Sequence, residues 1–229
     1  DLDAIYPLHD FPVRTKTKTK LISWCADLQH KHYPEFFTLF QRMQRDLRIR
    51  LGLRNSDRMV LSSADVLNDF NNFYTGKKRT QIQIFRFVSV IDNLKEFDIH
   101  DLRKKYKLPE EYFIVSNQFH KHKNHKVLLL TLAELRQRGI KKHLAITGKF
   151  PSAGNSFYLG ELHRIIDEHN LHDQISFLGV IPRKDQIQIM KHAQAVLQPS
   201  LFEGWSTVIE DAKSLQVPVI ASNLKVNIE

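Results

Sequence analysis

The chain of 229 residues holds a single cysteine, Cys25. That excludes a disulfide within the chain, and with it CxxC metal or redox sites. No apolar run approaches the roughly 20 residues that cross a bilayer. Glycine and proline are few, 8 of each, and no repeat or low-complexity tract stands out apart from one Thr/Lys stretch. Acid is in the minority, 25 Asp and Glu against 34 Lys and Arg, for a formal charge of +9. A reducing, cytoplasmic setting is the expectation. What is present is ordinary for a globular protein: 42% hydrophobic and 26% charged residues, enough to argue against disorder. At roughly 150 residues per domain, one large or two small domains fit the length.

Basicity alone does not choose a partner. It suits nucleic acid, anionic lipid or a phosphorylated small molecule. Part of it lies in Arg14-Thr15-Lys16-Thr17-Lys18-Thr19-Lys20, a pattern that reads as a solvated connector or as a surface attracted to an anionic leaflet.

Short continuous runs rich in Val, Ile and Phe at 21–24, 59–61, 82–85, 112–116, 143–147, 175–178, 195–198 and 218–221 predict strands buried on both faces. Helical patterns fall between them: one near 34–53, one through Val127, Leu128, Leu132 and Leu135 to Gly139, and one through Ile187, Ile189 and Met190. Such alternation predicts right-handed crossovers onto a parallel sheet. The expected boundary lies in 90–106, dividing a partial domain at 1–95 from a doubly wound domain at 96–229. Neither end carries a start or capping signal, so a piece of a longer protein is expected.

In open parallel sheets ligands sit at the carboxyl ends of strands, in loops that open helices. Four such loops carry suitable groups. Residues 116–126 bring three lysines and three histidines to a helix entrance, where the helix dipole disfavours cations. An arriving diphosphate would neutralise them; a solvated basic loop is the plain alternative. A zinc site on His120, His122 and His125 lacks any acidic or thiolate partner in the loop. Thr147-Gly148-Lys149 lets backbone approach a ligand. Leu178-Gly179-Val180-Ile181-Pro182 could hold a nucleobase against amide groups, or be a structural turn. In the fourth, 198–212, Glu203-Gly204 makes a turn, Ser206 or Thr207 caps the following helix, and Glu210 and Asp211 follow. Two acids at such spacing could grip separate hydroxyls of a polyol, or simply face water. In the first half, Asp27 and His30 also follow a strand and are expected to face a cleft, with His30 near its ordinary pKa. A satisfied structural histidine competes with that reading. Ser63 and Asp65 need no role beyond capping.

The segment Pro199-Ser200-Leu201-Phe202-Glu203-Gly204-Trp205-Ser206, continued by Val217-Pro218-Val219-Ile220-Ala221-Ser222, resembles the signature of retaining family 4 glycosyltransferases of GT-B fold. Phe177-Leu178-Gly179, the 117–123 loop and the helix from Ser63 to Asp69 fall at matching places. The resemblance implies two Rossmann-like domains, the first incomplete, and a nucleotide-sugar held mainly by the second. It implies transfer to a saccharide or lipid-linked acceptor with retention of configuration, in polysaccharide biosynthesis, without a metal or other cofactor. It places Lys123 on the donor diphosphate and Glu203 on the donor sugar, as the first acid of Glu-x7-Glu. Asp211 stands at the second acid, on the ribose hydroxyls, with Glu210 as an alternative. Asn117 stands where many members carry arginine. The donor site is completed by Gly148, Val180, Ile181, Gly204, Trp205, Ser206 and Thr207, and His30 or Asp27 lies near the acceptor-side His-Asp position. Lys123, Glu203 and Asp211 are thus expected to converge on one ligand. The expected location is cytoplasmic, or peripheral at the inner membrane face. Rival readings are a sugar-nucleotide-binding homologue without catalysis, a GT-B epimerase, and a nucleic-acid-binding module. The last is disfavoured because the basic residues gather in strand-end loops.

Overall fold

The computed structural model describes residues 2–8, 12, 18–75, 80–91, 98–150 and 157–229. The Arg14–Thr17 part of the basic stretch, Asp92 and Asn93, and the 95/96 boundary lie outside them. Two parallel sheets carry the fold. The first runs β1 (Ala4–Leu8), β2 (Lys20–Cys25), β3 (Arg58–Leu61) and β4 (Gln81–Ile84), neighbours in that order. The second holds β5 (Phe113–Ser116), β6 (Leu144–Thr147), β7 (Ile175–Gly179), β8 (Val196–Gln198) and β9 (Val219–Ala221), in the order β7-β6-β5-β8-β9. Every pairing in both sheets is parallel.

Around the first sheet lie the short α1 (Gln29–His32), α2 (Leu39–Asn55) and α3 (Ala64–Phe73). The helix expected at 34–53 is in two pieces, because Pro34 opens a separate 3-10 turn and Thr38 then starts α2 with a capping box shared with Gln41. Cys25, Leu28, Met59, Leu61, Val66 and Phe70 close this core. Burial pushes the Cys25 thiol up to about 12, so it packs as an inert apolar group.

In the second sheet successive residues serve opposite cores, which is why its strands read as continuous apolar runs. Ile114 and Ala145 face one core with Met190, Val208 and Ala212, under α4 (Ile99–Tyr106), α7 (Arg183–Lys191) and α8 (Thr207–Ser214). Val115 and Ile146 face the other with Leu129, Leu162 and Ile166, under α5 (His125–Gln137) and α6 (Phe157–Glu168). Helix α4, where a boundary was expected, forms because Asp98 caps it and Leu102 is buried beneath it. A last short helix, α9 (Lys225–Ile228), ends the chain.

The chain groups into two compact units. Asp1–Phe87, Glu203–Trp205 and Leu224–Glu229 make the first; Val88–Phe202 and Ser206–Asn223 make the second. Within the first, Glu229 accepts from Ala64 N and Asp65 N at 3.0 and 2.8 Å, closing the amino end of α3. No helix among the described residues is long and apolar enough to cross a membrane.

Candidate functional site

The second sheet reverses its strand order at β5. From there β6 and β7 run to one side, β8 and β9 to the other. Strands β5 and β8 meet through one paired position, Ile114 with Val196. Such a switch point opens a crevice at the carboxyl ends of the two strands. Asn117, just past β5, is buried and donates Nδ2 to Gln198 Oε1 of β8 at 2.7 Å. Gln198 Nε2 in turn reaches Ser200 Oγ at 3.3 Å. Where the family resemblance places an arginine, this chain has an uncharged amide tying the floor of the crevice together.

Above that floor lies the basic turn. Lys121–Lys123 form a 3-10 turn, and Asn124, at φ 55°, swings the chain into α5. Leu201 N donates to His122 O at 2.7 Å, and Asn124 Nδ2 to Pro199 O at 3.2 Å. The loops after β5 and β8 are therefore bonded to each other, with Lys123 carried on the first. The histidines do not add charge as the sequence suggested. Burial, with help from Lys123, lowers His120 and takes His122 to about 4. Burial likewise takes His125 to about 4; its ring stacks on Phe119 at 4.7 Å. Neither His125 ring nitrogen has a hydrogen-bond partner among the described residues, and burial outweighs the nearby Asn117 backbone, which favours the charged form. Lys126 is bound to Glu161 at 2.5 Å. At neutral pH the positive charge facing outward from the turn rests on Lys121 and Lys123. Among the described residues no group of His, Cys, Asp or Glu is arranged to hold a metal ion.

Glu210 and Asp211, which could have faced water, are both buried. Helix α8 starts at Ser206, whose hydroxyl accepts Ile209 N at 3.3 Å, with Thr207 exposed as its first residue. Glu210 pairs with Lys213 at 2.8 Å. Asp211 Oδ1 accepts Arg183 Nη2 and Ser89 Oγ, each at 2.5 Å. Among the described residues nothing bonds to Asp211 Oδ2. Arg183 also donates to Gln186 Oε1 at 3.0 Å, and Gln186 donates to Ser116 Oγ at the end of β5. One line of polar contacts thus runs from β5 through α7 to Asp211. Arg183, Gln186 and Ser89 were missed from sequence. One signal was there: an arginine in the first turn of α7 opposes the helix dipole and calls for an acid nearby.

The glycine turns complete the rim of the second unit. Gly148 sits at φ +152°, and a Cβ there would lie 2.1 Å from the Asn117 carbonyl oxygen. Gly148 N and Thr147 Oγ1 both donate to Gly179 O at 2.9 Å, tying the ends of β6 and β7. After Gly179, Val180 is 76% exposed, an apolar surface standing free at a strand tip, and Ile181 is half-buried.

Glu203, Gly204 and Trp205 belong to the first unit. Gly204 lies against the end of β2, where a Cβ would come within 2.1 Å of Ala26 O. Trp205 Nε1 donates to Phe87 O at 2.9 Å and packs its ring edge-on to Phe87. Glu203 is half-buried. His30 differs from expectation. It is buried, accepts Arg45 Nε at Nδ1 (3.3 Å) and meets Asp46 through Nε2 (3.2 Å). Burial lowers its pKa, so the ring is a neutral bridge inside the unit. Asp27 holds Arg45 at 2.7 Å and Gln29 N at 3.0 Å, on the edge of a pocket of about 180 Å³ that Arg45 and Arg48 also line.

Two parallel α/β sheets, the second doubly wound with its polar groups at the switch point, define a GT-B fold, and comparison with solved structures agrees. Anabaena HepE in complex with UDP-glucose superposes with a TM-score of 0.73 at 19% identity, over 92% of this chain and 55% of HepE. Sucrose-phosphate synthase from Thermosynechococcus elongatus gives 0.64 at 22%, over 91% of this chain and 51% of the synthase. Residues 98–229 match glycosyl transferases group 1, and the chain belongs to that family. EpsF of Bacillus subtilis, a glycosyltransferase by name, is 32% identical over 106 residues, covering 46% of this chain and 26% of EpsF. The uncharacterized glycosyltransferase MJ1059 of Methanocaldococcus jannaschii is 26% identical over 161 residues, 68% of this chain and 36% of MJ1059. The matched part of the chain thus spans between 26% and 55% of these relatives' lengths.

Proposed function

We propose that this chain supplies the donor-binding part of a retaining glycosyltransferase that moves a sugar from a nucleotide-sugar to a saccharide or lipid-linked acceptor. The observation that carries the reading is the switch point of the second unit. A lysine-bearing turn is bonded there to the loop after β8, and a buried aspartate is held on one oxygen while the other stays open. HepE, with the same fold, was solved with UDP-glucose, which makes UDP the first nucleotide to try. Lys123 takes the diphosphate, Asp211 Oδ2 accepts from ribose hydroxyls, and the Gly148, Val180 and Ile181 surfaces take the base. Glu203 and the residues to Thr207 meet the donor sugar. The acceptor uses the pocket beside Asp27 and Arg45, with His30 a positioning residue behind them.

As the sugar C1–O bond to the phosphate breaks, negative charge grows on the leaving diphosphate. Lys123 and the amide groups opening α8 stabilise it without a metal. Retention follows if the acceptor hydroxyl attacks C1 from the leaving-group side and passes its proton to the departing phosphate oxygen. The setting is cytoplasmic or peripheral at the inner membrane face, in polysaccharide assembly. Calorimetry of UDP on the chain tests the donor site. Lys123→Ala removes one or two charged hydrogen bonds of about 1.5–3 kcal/mol each, so a loss of at least about tenfold in affinity is expected. Unchanged affinity ends that assignment.

A further inference from the structure

Helix α2 packs on its own sheet through Ile49 and Gly52, where a Cβ on Gly52 would lie 2.6 Å from Met59 Cε. Its other side carries apolar residues that none of the described residues covers: Leu39 is 69% exposed, Phe40 74%, Met43 62% and Leu47 51%. Leu39, Met43 and Leu47 repeat every four residues, and Phe40 lies three and seven from the last two, so all four share one face. Toward the helix end the same face continues with Arg50 and Arg54, and Arg42 flanks it; all three are exposed. None of them has a carboxylate partner among the described residues. The helix carries five arginines and one acid, Asp46, and that acid is already held by Lys31, Tyr74 and His30.

From this juxtaposition we infer that the outer face of α2 docks the protein on an anionic lipid surface. The leucines, Phe40 and Met43 enter the boundary between headgroups and acyl chains, and the arginines lie on lipid phosphates. That division of labour belongs to helices resting in the plane of a membrane interface. Charge decides among occupants. A second copy would set Arg42, Arg50 and Arg54 against the same three, whereas an anionic leaflet complements the basic half and accepts the apolar half. The inference gives a surface to the peripheral location proposed above and uses no residue assigned to the donor site.

Cosedimentation of the full chain tests it, with vesicles of phosphatidylcholine alone and with 30% phosphatidylglycerol. The chain should pellet with the anionic vesicles at least about tenfold more tightly, and 0.5 M salt should weaken this. Leu39→Gln with Phe40→Gln should reduce binding about tenfold, and Arg50→Gln with Arg54→Gln about fivefold. Circular dichroism and UDP calorimetry should be unchanged in both, since these side chains are exposed. Vesicle binding that ignores both variants overturns the inference, as does failure to bind anionic vesicles. A dimer on gel filtration that Phe40→Gln dissolves assigns the face to a second copy and also overturns it. UDP binding reports separately on the donor site.

Discussion

Asp46 in the first unit and Asp211 in the second are both acids held by basic partners, yet their lone pairs are used differently. Asp46 Oδ1 accepts Tyr74 OH and meets His30 Nε2, while Oδ2 takes Lys31 Nζ at 2.7 Å. Burial alone would raise its pKa; the bonds from Lys31, Tyr74 and His30 outweigh that and hold it at about 2. Asp211 spends one oxygen on Arg183 and Ser89 and keeps the other open. The contrast sets an acid whose two oxygens are both spent on holding the fold beside one whose second oxygen is open, the oxygen that the proposed donor site uses.

The largest effect should follow from Asp46→Ala. It strands a buried imidazole, a lysine and a tyrosine hydroxyl, at a cost of about 3 kcal/mol. For a chain of this length melting as a whole, that lowers the melting temperature by roughly 6–12 °C. A shift under about 2 °C would remove the distinction. Acid titration sharpens it next. A group with a depressed carboxylate pKa stabilises above its unfolded value, so Asp46 support should vanish as pH falls from about 4 toward 2. His125 acts earlier. The unfolded chain takes up its proton near the ordinary histidine value, while the folded ring resists until about 4. Stability should therefore fall as pH drops from about 6.5 to 4, by on the order of 3 kcal/mol at most. His30, also lowered by burial, acts in the same sense in the first unit. His125→Phe keeps the stack on Phe119 and should flatten that limb in denaturant melts against pH; an unaltered limb would assign it elsewhere.

Asp211→Asn should be smaller in stability and specific in binding. Arg183 is more than half exposed and can turn to water, so the melting point should move by less than about 4 °C. UDP affinity should fall about tenfold, near 1.4 kcal/mol. If the melting point collapses and UDP binding holds, Asp211 is structural like Asp46. Ser89→Ala is the mildest probe: a two- to fivefold loss of UDP affinity is expected through Asp211, from one hydrogen bond.

Much of the fold was legible because fully buried strands leave unbroken runs of Val, Ile and Phe, as at 113–116 and 144–147. Strand β1 was not, since Ala4–Leu8 is mostly exposed and contains Pro7. Helix α4 hid behind charge, with one buried leucine in eight residues. Asn117, Lys123 and Asp211 were singled out as candidates by their place after strands and in the helix opening. Their partners Gln198, Arg183 and Ser89 come from distant parts of the chain, and no local spacing connects them. His30 shows the opposite error: its position beside a strand end suggested presentation, and burial between Arg45 and Asp46 could not be seen without the packing.

By itself the sequence determined most of the strands, the strand-end loops proposed for the site and the glycosyltransferase resemblance, because hydrophobic period and turn residues act over a few neighbours. Only the tertiary structure decided which polar atoms stay open. Hydrogen-bond capacity is shared among residues brought together from across the chain, and burial sets which histidines hold a proton.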